Sequence, residues 1–575
     1  MINAEIARVF DRIADLLEID GADGFRVNSY RRAARTFKDA VEDVVVLAAQ
    51  RRLTELPGVG KGTADRVQQY LSTGHIDLLD ELAAKFPAEL PALLEIPGLG
   101  PKKVALAYRE LHVKGVADLK KVIASGALEK LPGLGAASVK KIAEGLAFLE
   151  SSGGRTPLGI ALPLAESYVE RVRKLPGVSR VEIAGSLRRG KETIGDIDIL
   201  CDADDGAAVV KKFASLEGVK RVLASGATKG SVTVDGGDEQ EVQIDLRVVD
   251  SDSFGAALQY FTGSKEHNVR VRERAVARKW KLNEYGLFEG EKRLAGRKEE
   301  DIYKKLGLPC PPPELREDHG EVDPEFQVPG LITVKDIRGD LHMHTVASDG
   351  RNSIEEMAAA AKKLGYEFIA ICDHSKSSTI ANGLSIERMT GHMAAIRAAA
   401  KKIKGLAVLV GCECDILPDG SMDYPDEILA QCDWVVASIH SAMGPGGSGK
   451  LTPTERTISA IGNRFVRAIG HPTGRLINRR AAMDMDMARI VEEAAKAKTC
   501  LEINASWQRL DLKDTHVHMA VEAGVMLTIN TDAHHVDQLA QMRFGVLTAR
   551  RGGATPKGVL NCLSAADLKK KIARS

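Results

Sequence analysis

The chain has 575 residues, 44% of them hydrophobic and 28% charged, a length that calls for several cores and not one. Its 80 basic and 79 acidic side chains leave a formal net charge of +1, so no global field announces a polyanionic partner and local patches must carry that case. Eight cysteines without Cys-x-x-Cys spacing, an amino terminus unlike a signal peptide and the lack of any run of about 18 apolar residues argue against disulfide-scaffold, secreted and membrane classes, and for a reduced cytoplasmic setting.

The first elements expected are helices, punctuated by three copies of one phrase: Leu56-Pro57-Gly58-Val59-Gly60, Ile96-Pro97-Gly98-Leu99-Gly100 and Leu131-Pro132-Gly133-Leu134-Gly135. Each precedes a helical pattern such as Ala137-Ser138-Val139-Lys140-Lys141-Ile142, the helix-hairpin-helix signature. The paired glycines permit a tight turn that brings backbone N–H groups to a helix start, a site for a phosphate oxygen. Such a contact holds nucleic acid without reading its sequence.

From about residue 158 the pattern changes to mixed helix and strand. Gly185-Ser186-Leu187-Arg188-Arg189-Gly190 is followed by Gly195-Asp196-Ile197-Asp198, and on a strand Asp196 and Asp198 share one side while Ile197 and Ile199 face a core. Two converging carboxylates suit a hard Mg²⁺ ion, with Mn²⁺ as a substitute, whose other ligands are water and substrate phosphates. Gly185 and Ser186 let a triphosphate approach closely, and Arg189 adds charge. A third acid, Asp245, comes from the alternating segment Val242-Gln243-Ile244-Asp245-Leu246-Arg247. Each acid alone reads as a solvated strand end; together they read as a two-metal nucleotidyl-transfer centre, with Asp245 nearest the attacking 3′-hydroxyl. Between Lys265 and Lys281, seven basic side chains face only Glu266 and Glu273, enough for a phosphate-facing surface.

Pro309-Cys310-Pro311-Pro312-Pro313 and the acidic, proline-spaced stretch to Gly330 read as a linker. Beyond it, apolar strand-like runs repeatedly end on metal-binding residue types: His342 and His344, His374, Glu413, His440, His471, and Asp532 with His534. Helical segments separate them, as where Ser353-Ile354-Glu355-Glu356 opens a helix with apolar Ile354, Met357, Ala361 and Leu364. Alternation of this kind implies a parallel sheet or barrel with its site at the carboxyl ends of the strands. With Asp349 the candidate ligands number nine, too many for one ion. Two or three clustered ions of Mn²⁺ or Zn²⁺ that hydrolyse phosphate esters fit the number and the mixed donor types. His516 and His518, two apart in a helical stretch, diverge and are left out, as are His392 and His535.

On Gly185-Ser186 through Asp198, Asp245, Tyr260-Phe261-Thr262-Gly263-Ser264 and the histidine-rich segments, the chain resembles a bacterial family X DNA polymerase: a polymerase β-like core followed by a polymerase-and-histidinol-phosphatase domain. The resemblance covers essentially the whole length. It implies that Gly185, Ser186, Arg189 and Gly195 contact the incoming triphosphate, that Tyr260, Phe261 and Gly263 bound the sugar pocket, and that Asn268 and Arg272 lie against the new base pair. For the amino-terminal module it implies a hold on a 5′-phosphate, with Arg26, Tyr30 and Arg31 as candidates, and Gly58, Gly60, Gly98, Gly100, Gly133 and Gly135 at the backbone. For the carboxyl-terminal domain it implies a manganese-dependent 3′→5′ exonuclease or related 3′-end or abasic-site phosphoesterase. Where polymerase β-like enzymes carry a Schiff-base lysine, this chain has Arg66, whose guanidinium stays protonated, which speaks against 5′-deoxyribose phosphate lyase activity.

The expected fold is therefore multidomain: an α-helical helix-hairpin-helix region, an α+β nucleotidyltransferase palm and thumb, and a distorted β/α barrel. Expected boundaries are 1–85 and 86–155 for the helical parts, 156–255 for the palm, 256–315 for the nucleotide-selecting subdomain, 316–335 for the linker and 336–575 for the phosphoesterase. The expected activity is gap-filling DNA synthesis in repair, on gapped or nicked duplex with deoxynucleoside triphosphates, by a cytoplasmic, nucleoid-associated monomer. The alternatives are a DNA-binding scaffold with only the phosphoesterase active, disfavoured by the retained carboxylates, and a small-molecule phosphatase, disfavoured by three helix-hairpin-helix phrases.

Overall fold

The computed structural model describes residues 2–573 except 40–43, 57, 88, 97, 153, 238, 239 and 444–450. The chain forms two compact units, Met1–Gly153 with Asn478–Ala481, and Gly154–Ile477 with Ala482–Ser575. No helix among the described residues is long and apolar enough to cross a membrane.

The first unit is helical and repeats one turn three times. Gly58, Gly98 and Gly133 have φ of +79°, +89° and +76°, a left-handed backbone that glycine adopts without cost from a Cβ. The residue between each glycine pair donates its N–H to the carbonyl three back: Val59 to Leu56, Leu99 to Ile96 and Leu134 to Leu131. Those three side chains are buried and lock each turn to its core. The carbonyls of Gly60, Gly100 and Gly135 then accept N–H groups from the third and fourth residues of the helices Lys61–Thr73, Pro101–Leu111 and Ala136–Ser152. Pro57 and Pro97 lie outside the described residues.

The second unit opens with the helix Leu158–Arg173 and a five-stranded sheet in the order Val178–Ile183, Ile197–Ala203, Glu241–Val249, Lys229–Asp235, Val219–Ser225. Alternation in Glu241–Val249 sends Val242, Ile244, Leu246 and Val248 into the core and leaves Gln243, Asp245 and Arg247 half-buried on the other face. Next come the helices Phe254–Thr262 and Lys265–Val276, a three-stranded antiparallel sheet and the helix Glu299–Lys305. Most of the seven expected basic side chains are exposed here; Arg274 is half-buried and donates to the Val322 carbonyl.

The stretch expected to be a linker has no long helix or strand and is packed against its neighbours. Arg316 is 1% exposed, pairs with Glu299 and donates to the Pro311 carbonyl, and Glu321 is buried against His267. Proline spacing correctly excludes long helix and strand here, but the buried ion pairs tie the segment down.

The remainder is a seven-stranded sheet, parallel throughout, whose strands follow in chain order from Gly339–Met343 to Leu527–Asn530. A parallel bridge from Met343 to Ala533 brings the last segment back to the first, so the sheet is a nearly closed barrel. The capping box at Ser353 forms, with Glu356 N–H donating to Ser353 Oγ at 3.2 Å and Ser353 N–H to Glu356 Oε2 at 2.8 Å. Leu364, expected on the apolar face, is instead exposed where that helix ends. Palm and barrel share a core in which Ile477, Leu510 and Phe544 join the apolar face of the palm sheet. Gly159 lies so close to Trp507 that a Cβ there would stand 2.1 Å from the indole.

Candidate functional site

Asp198 and Asp245 are register partners on adjacent parallel strands, and Asp196 stands one residue ahead of the first of them. The pairing brings oxygens of Asp196, Asp198 and Asp245 within 4.8 Å of one another. Burial and then the neighbouring charges of Asp196 and Asp245 push the Asp198 carboxyl up to about 7. At Asp245 burial works the same way but is outweighed by hydrogen bonds from Lys229, Gln243 and Ser231, which hold it below the usual carboxylate range. Lys229 Nζ lies 2.8 Å from its Oδ2, and Gln243 Nε2 donates to its Oδ1 at 2.8 Å. Three acids this close are mutually repulsive until a cation joins them, which is the electrostatics of a divalent-ion site.

Gly185 has φ +65°, and a Cβ on it would sit 2.1 Å from Asp198 Oδ2, so the glycine is what lets the turn lie against the acid. Ser186 is the second residue of the helical turn Gly185–Arg188, and Gly195 directly precedes Asp196. Arg189 donates through Nε to Glu317 at 3.0 Å and through Nη1 to the Thr262 carbonyl. Gly263, φ +69°, would place a Cβ 3.1 Å from the same Nη1. Tyr260 and Phe261 meet edge to face at 5.2 Å, and Arg247 covers the Phe261 ring. Asn268 is bonded on both sides, to the Tyr260 carbonyl and by Gln259, and Arg272 Nε donates to the Asn268 carbonyl. In the amino-terminal unit Arg26 is exposed, Tyr30 is buried against Phe10, and Arg31 is paired with Asp15 and Glu18. Arg66 lies over the Tyr30 ring.

The second centre is built at the carboxyl ends of the barrel strands. Three overlapping groups appear among the described residues: His344, Asp349, His374 and His534; His342, His344, Glu413 and Asp532; and His374, Glu413 and His440. His471 joins through Nε2, 2.9 Å from Glu413 Oε1. Glu413 is the hub, with Oε2 at 2.9 Å from His374 and 3.4 Å from His342. His342 Nε2, His344 Nδ1, His374 Nδ1, His471 Nδ1 and Glu413 Oε2 are buried with no hydrogen bond, although several lie this near one another. Buried donors and acceptors are normally satisfied, so the orphans at His342, His344, His374 and Glu413, which converge on one another, fit metal ligands, while His471 meets the group with its other nitrogen. Burial disfavours imidazolium, but Glu413 and Asp415 outweigh it at His440 and push it up to about 10. At His344 burial prevails, aided by His534 and His374, and the ring falls to about 4.

Residues that sequence reasoning missed lie one layer out. Glu502 is fully buried; it contacts His342 Nδ1 at 2.8 Å and accepts the His471 N–H at 2.7 Å. Asp415 bonds His440 Nδ1. Asp373 gathers Thr345, Ser348 and His392, the last at 2.7 Å. A lone acid between Leu501 and Ile503 in the buried strand Cys500–Asn504 marks Glu502 as unusual, though not its role. His392 thus sits behind the centre, His535 faces exposed Asp537, and His516 and His518 lie on the helix Asp514–Glu522.

Both parts of the chain that carry these clusters resemble known proteins. Over 577 residues, all of both chains, the sequence is 38% identical to the DNA polymerase/3′-5′ exonuclease PolX of Bacillus subtilis (strain 168). The chain belongs to the bacterial PolX family. Family models match a DNA polymerase beta thumb at 257–317, a PHP domain at 340–506, a helix-hairpin-helix domain at 1–76 and a SAM-like helix-hairpin-helix tandem at 74–147. Its two halves also have separate relatives. A DNA polymerase lambda of Rattus norvegicus is 27% identical over 55% of this chain and 56% of its own. A probable phosphatase of Caldicellulosiruptor bescii is 30% identical over 34% of this chain and 79% of its own.

Proposed function

We propose that this PolX chain extends DNA at short gaps from its palm and removes or cleans 3′ ends in its barrel. The observation that carries the reading is the presence of two separate ligand clusters of different chemistry, the acid trio and the imidazole-rich group. Gapped or nicked duplex is the substrate, held by the backbone turns at Gly58, Gly60, Gly98, Gly100, Gly133 and Gly135, with Arg26, Tyr30 and Arg31 at a 5′-phosphate. A cytoplasmic, nucleoid-associated monomer is the form in which it works.

In the palm, Asp196, Asp198 and Asp245 would hold Mg²⁺ or Mn²⁺, which when bound lowers the pKa of the attacking hydroxyl and neutralises the triphosphate. Asp245, kept ionised by Lys229 and Gln243, would sit nearest the primer 3′-hydroxyl and help remove its proton. Gly185, Ser186, Arg189 and Gly195 receive the triphosphate; Tyr260, Phe261 and Gly263 bound the sugar; Asn268 and Arg272 face the base pair.

In the barrel, His342, His344, Asp349, His374, Glu413, His440, His471, Asp532 and His534 would hold up to three ions of manganese or zinc, which supply an activated water and clamp the phosphate. Glu502 and Asp415 fix the ring orientation of His342 and His440 from behind.

The test is a gapped, end-labelled duplex incubated with manganese, with and without deoxynucleotides. Extension with nucleotides and shortening without them is the expected pair of results. Inertness in both arms, or hydrolysis of small phosphate monoesters alone, would defeat the reading.

A further inference from the structure

Two arginines of the barrel grip the palm loop that carries Arg189. Arg551 ends the helix Met542–Arg551 and has a side chain only 5% exposed. Its Nη1 donates to the Arg189 carbonyl at 2.8 Å and to Glu317 Oε1 at 3.0 Å, while Nε and Nη2 hold Asp514 at 2.8 and 2.6 Å. The same Oε1 of Glu317 takes Arg189 Nε at 3.0 Å, with Lys191 Nζ a little further off at 3.5 Å. Three residues along the loop, Arg475 pairs with both carboxylate oxygens of Glu192, at 3.1 and 2.6 Å. Arg475 lies four residues after the metal-type ligand His471.

We propose that Arg551, assisted by Arg475, is a positioning residue for nucleotide addition, so that the phosphoesterase domain completes the polymerase's triphosphate pocket. The proposal rests on the assignment of Arg189 to the incoming triphosphate. Glu317 competes with a triphosphate for the Arg189 guanidinium. A carboxylate bound to one cation alone would be left buried and unpaired when that cation turned to the substrate, a costly state. Arg551 already shares the Glu317 oxygen, as the nearer and more buried partner at 3.0 Å against 3.5 Å for the half-exposed Lys191, so Arg189 can move without stranding the acid. By bonding the Arg189 main chain as well, Arg551 fixes the point from which the side chain swings. The Arg543–Glu166 pair shows what plain interface glue looks like, since Glu166 is exposed, Arg543 is partly so, and the pair joins two helices and not the Arg189 loop.

Deoxynucleotide titration on a gapped duplex, alongside exonuclease assays and thermal unfolding, tests this with full-length Arg551→Ala, Arg551→Lys, Arg189→Ala and Arg543→Ala. Arg551→Ala is expected to raise the KM for deoxynucleotide about five- to tenfold while kcat changes by less than about twofold. Arg551→Lys keeps the charge but cannot serve all three acceptors, and falls between Ala and wild type. Arg543→Ala keeps the wild-type KM. An unchanged KM in Arg551→Ala, beside a raised KM in Arg189→Ala, overturns the proposal and leaves the Arg189 assignment standing. An unchanged KM in Arg189→Ala overturns that assignment and this inference with it. If Arg551→Ala does not fold, a wild-type KM in Arg551→Lys overturns the proposal by itself.

Discussion

The two clusters proposed to hold divalent cations have opposite electrostatics. The palm trio is all acid and partly open, and its charges repel: Asp198 is pushed up to about 7 by burial and by Asp196 and Asp245. The barrel cluster is buried at its heart, around His342, His344 and Glu413, opens to solvent at Asp349, and is internally compensated, with Glu413 pulled well below the usual range against burial by His440, His374 and His342. An open acid trio favours ions that arrive and leave with the triphosphate, whereas a buried mixed set favours resident ions. The contrast suits one centre that must release pyrophosphate each cycle and another that only needs water and a phosphodiester.

The strongest way to break this comparison is to disable each centre alone. Asp196→Ala with Asp198→Ala is expected to lower nucleotide addition by about a thousandfold or more while manganese-dependent exonuclease survives; His342→Ala with His344→Ala does the reverse. Both activities are read on one labelled primer–template, with circular dichroism to confirm folding. Loss of both activities in either folded variant would mean that the centres are not separate.

A subtler break is Gly185→Ala. The added methyl meets Asp198 Oδ2 and a φ of +65°, so either the turn or the acid must shift by about an ångström. Displacement of that size at a reacting centre costs about a hundredfold in rate. Single-turnover addition measures it, and exonuclease activity stays at the wild-type level.

How much of this could be read before the structure depends on what each residue's partner is. Asp245 was legible because strict alternation in Val242–Arg247 placed it opposite a core face. Its register beside Asp198 was not, since which strands pair is decided by the whole sheet. The barrel was legible from histidines recurring at strand ends, and the three glycine turns from their repetition. Glu502 escaped because its partner, His342, lies 160 residues away and nothing local marks a buried acid as an orienting group. Glu317 escaped for a related reason: proline spacing tells that Pro309–Gly330 is irregular, but not that its acids meet Arg189 and Arg551.

Glu502→Gln sharpens the comparison on the buried side. The amide keeps the size but removes the charge that faces His342 and can present the wrong tautomer to it, and losses of this kind cost about ten- to a hundredfold in metal affinity or activity. Metal content after gel filtration, by emission spectroscopy, and exonuclease rate should fall together. Polymerisation is untouched. An unchanged metal content would show that His342 needs no orienting partner.

Gln243→Leu is the counterpart on the open side and the smallest effect of the set. Gln243 stands to Asp245 as Glu502 stands to His342, one hydrogen bond behind a ligand, at 2.8 Å in both cases. Gln243 and Asp245 are only half-buried, however, so water can take the place of the lost amide, and Lys229 still holds the other carboxylate oxygen. The loss is one hydrogen bond, ~1 kcal/mol or about fivefold, and it falls on the Mg²⁺ concentration needed for half-maximal addition. Saturating Mg²⁺ restores the rate, because the cation does the work of keeping Asp245 ionised. If the palm variant instead lost as much as the barrel variant, and added metal did not rescue it, the difference in burial between the two centres would not be what sets the cost of their supporting hydrogen bonds.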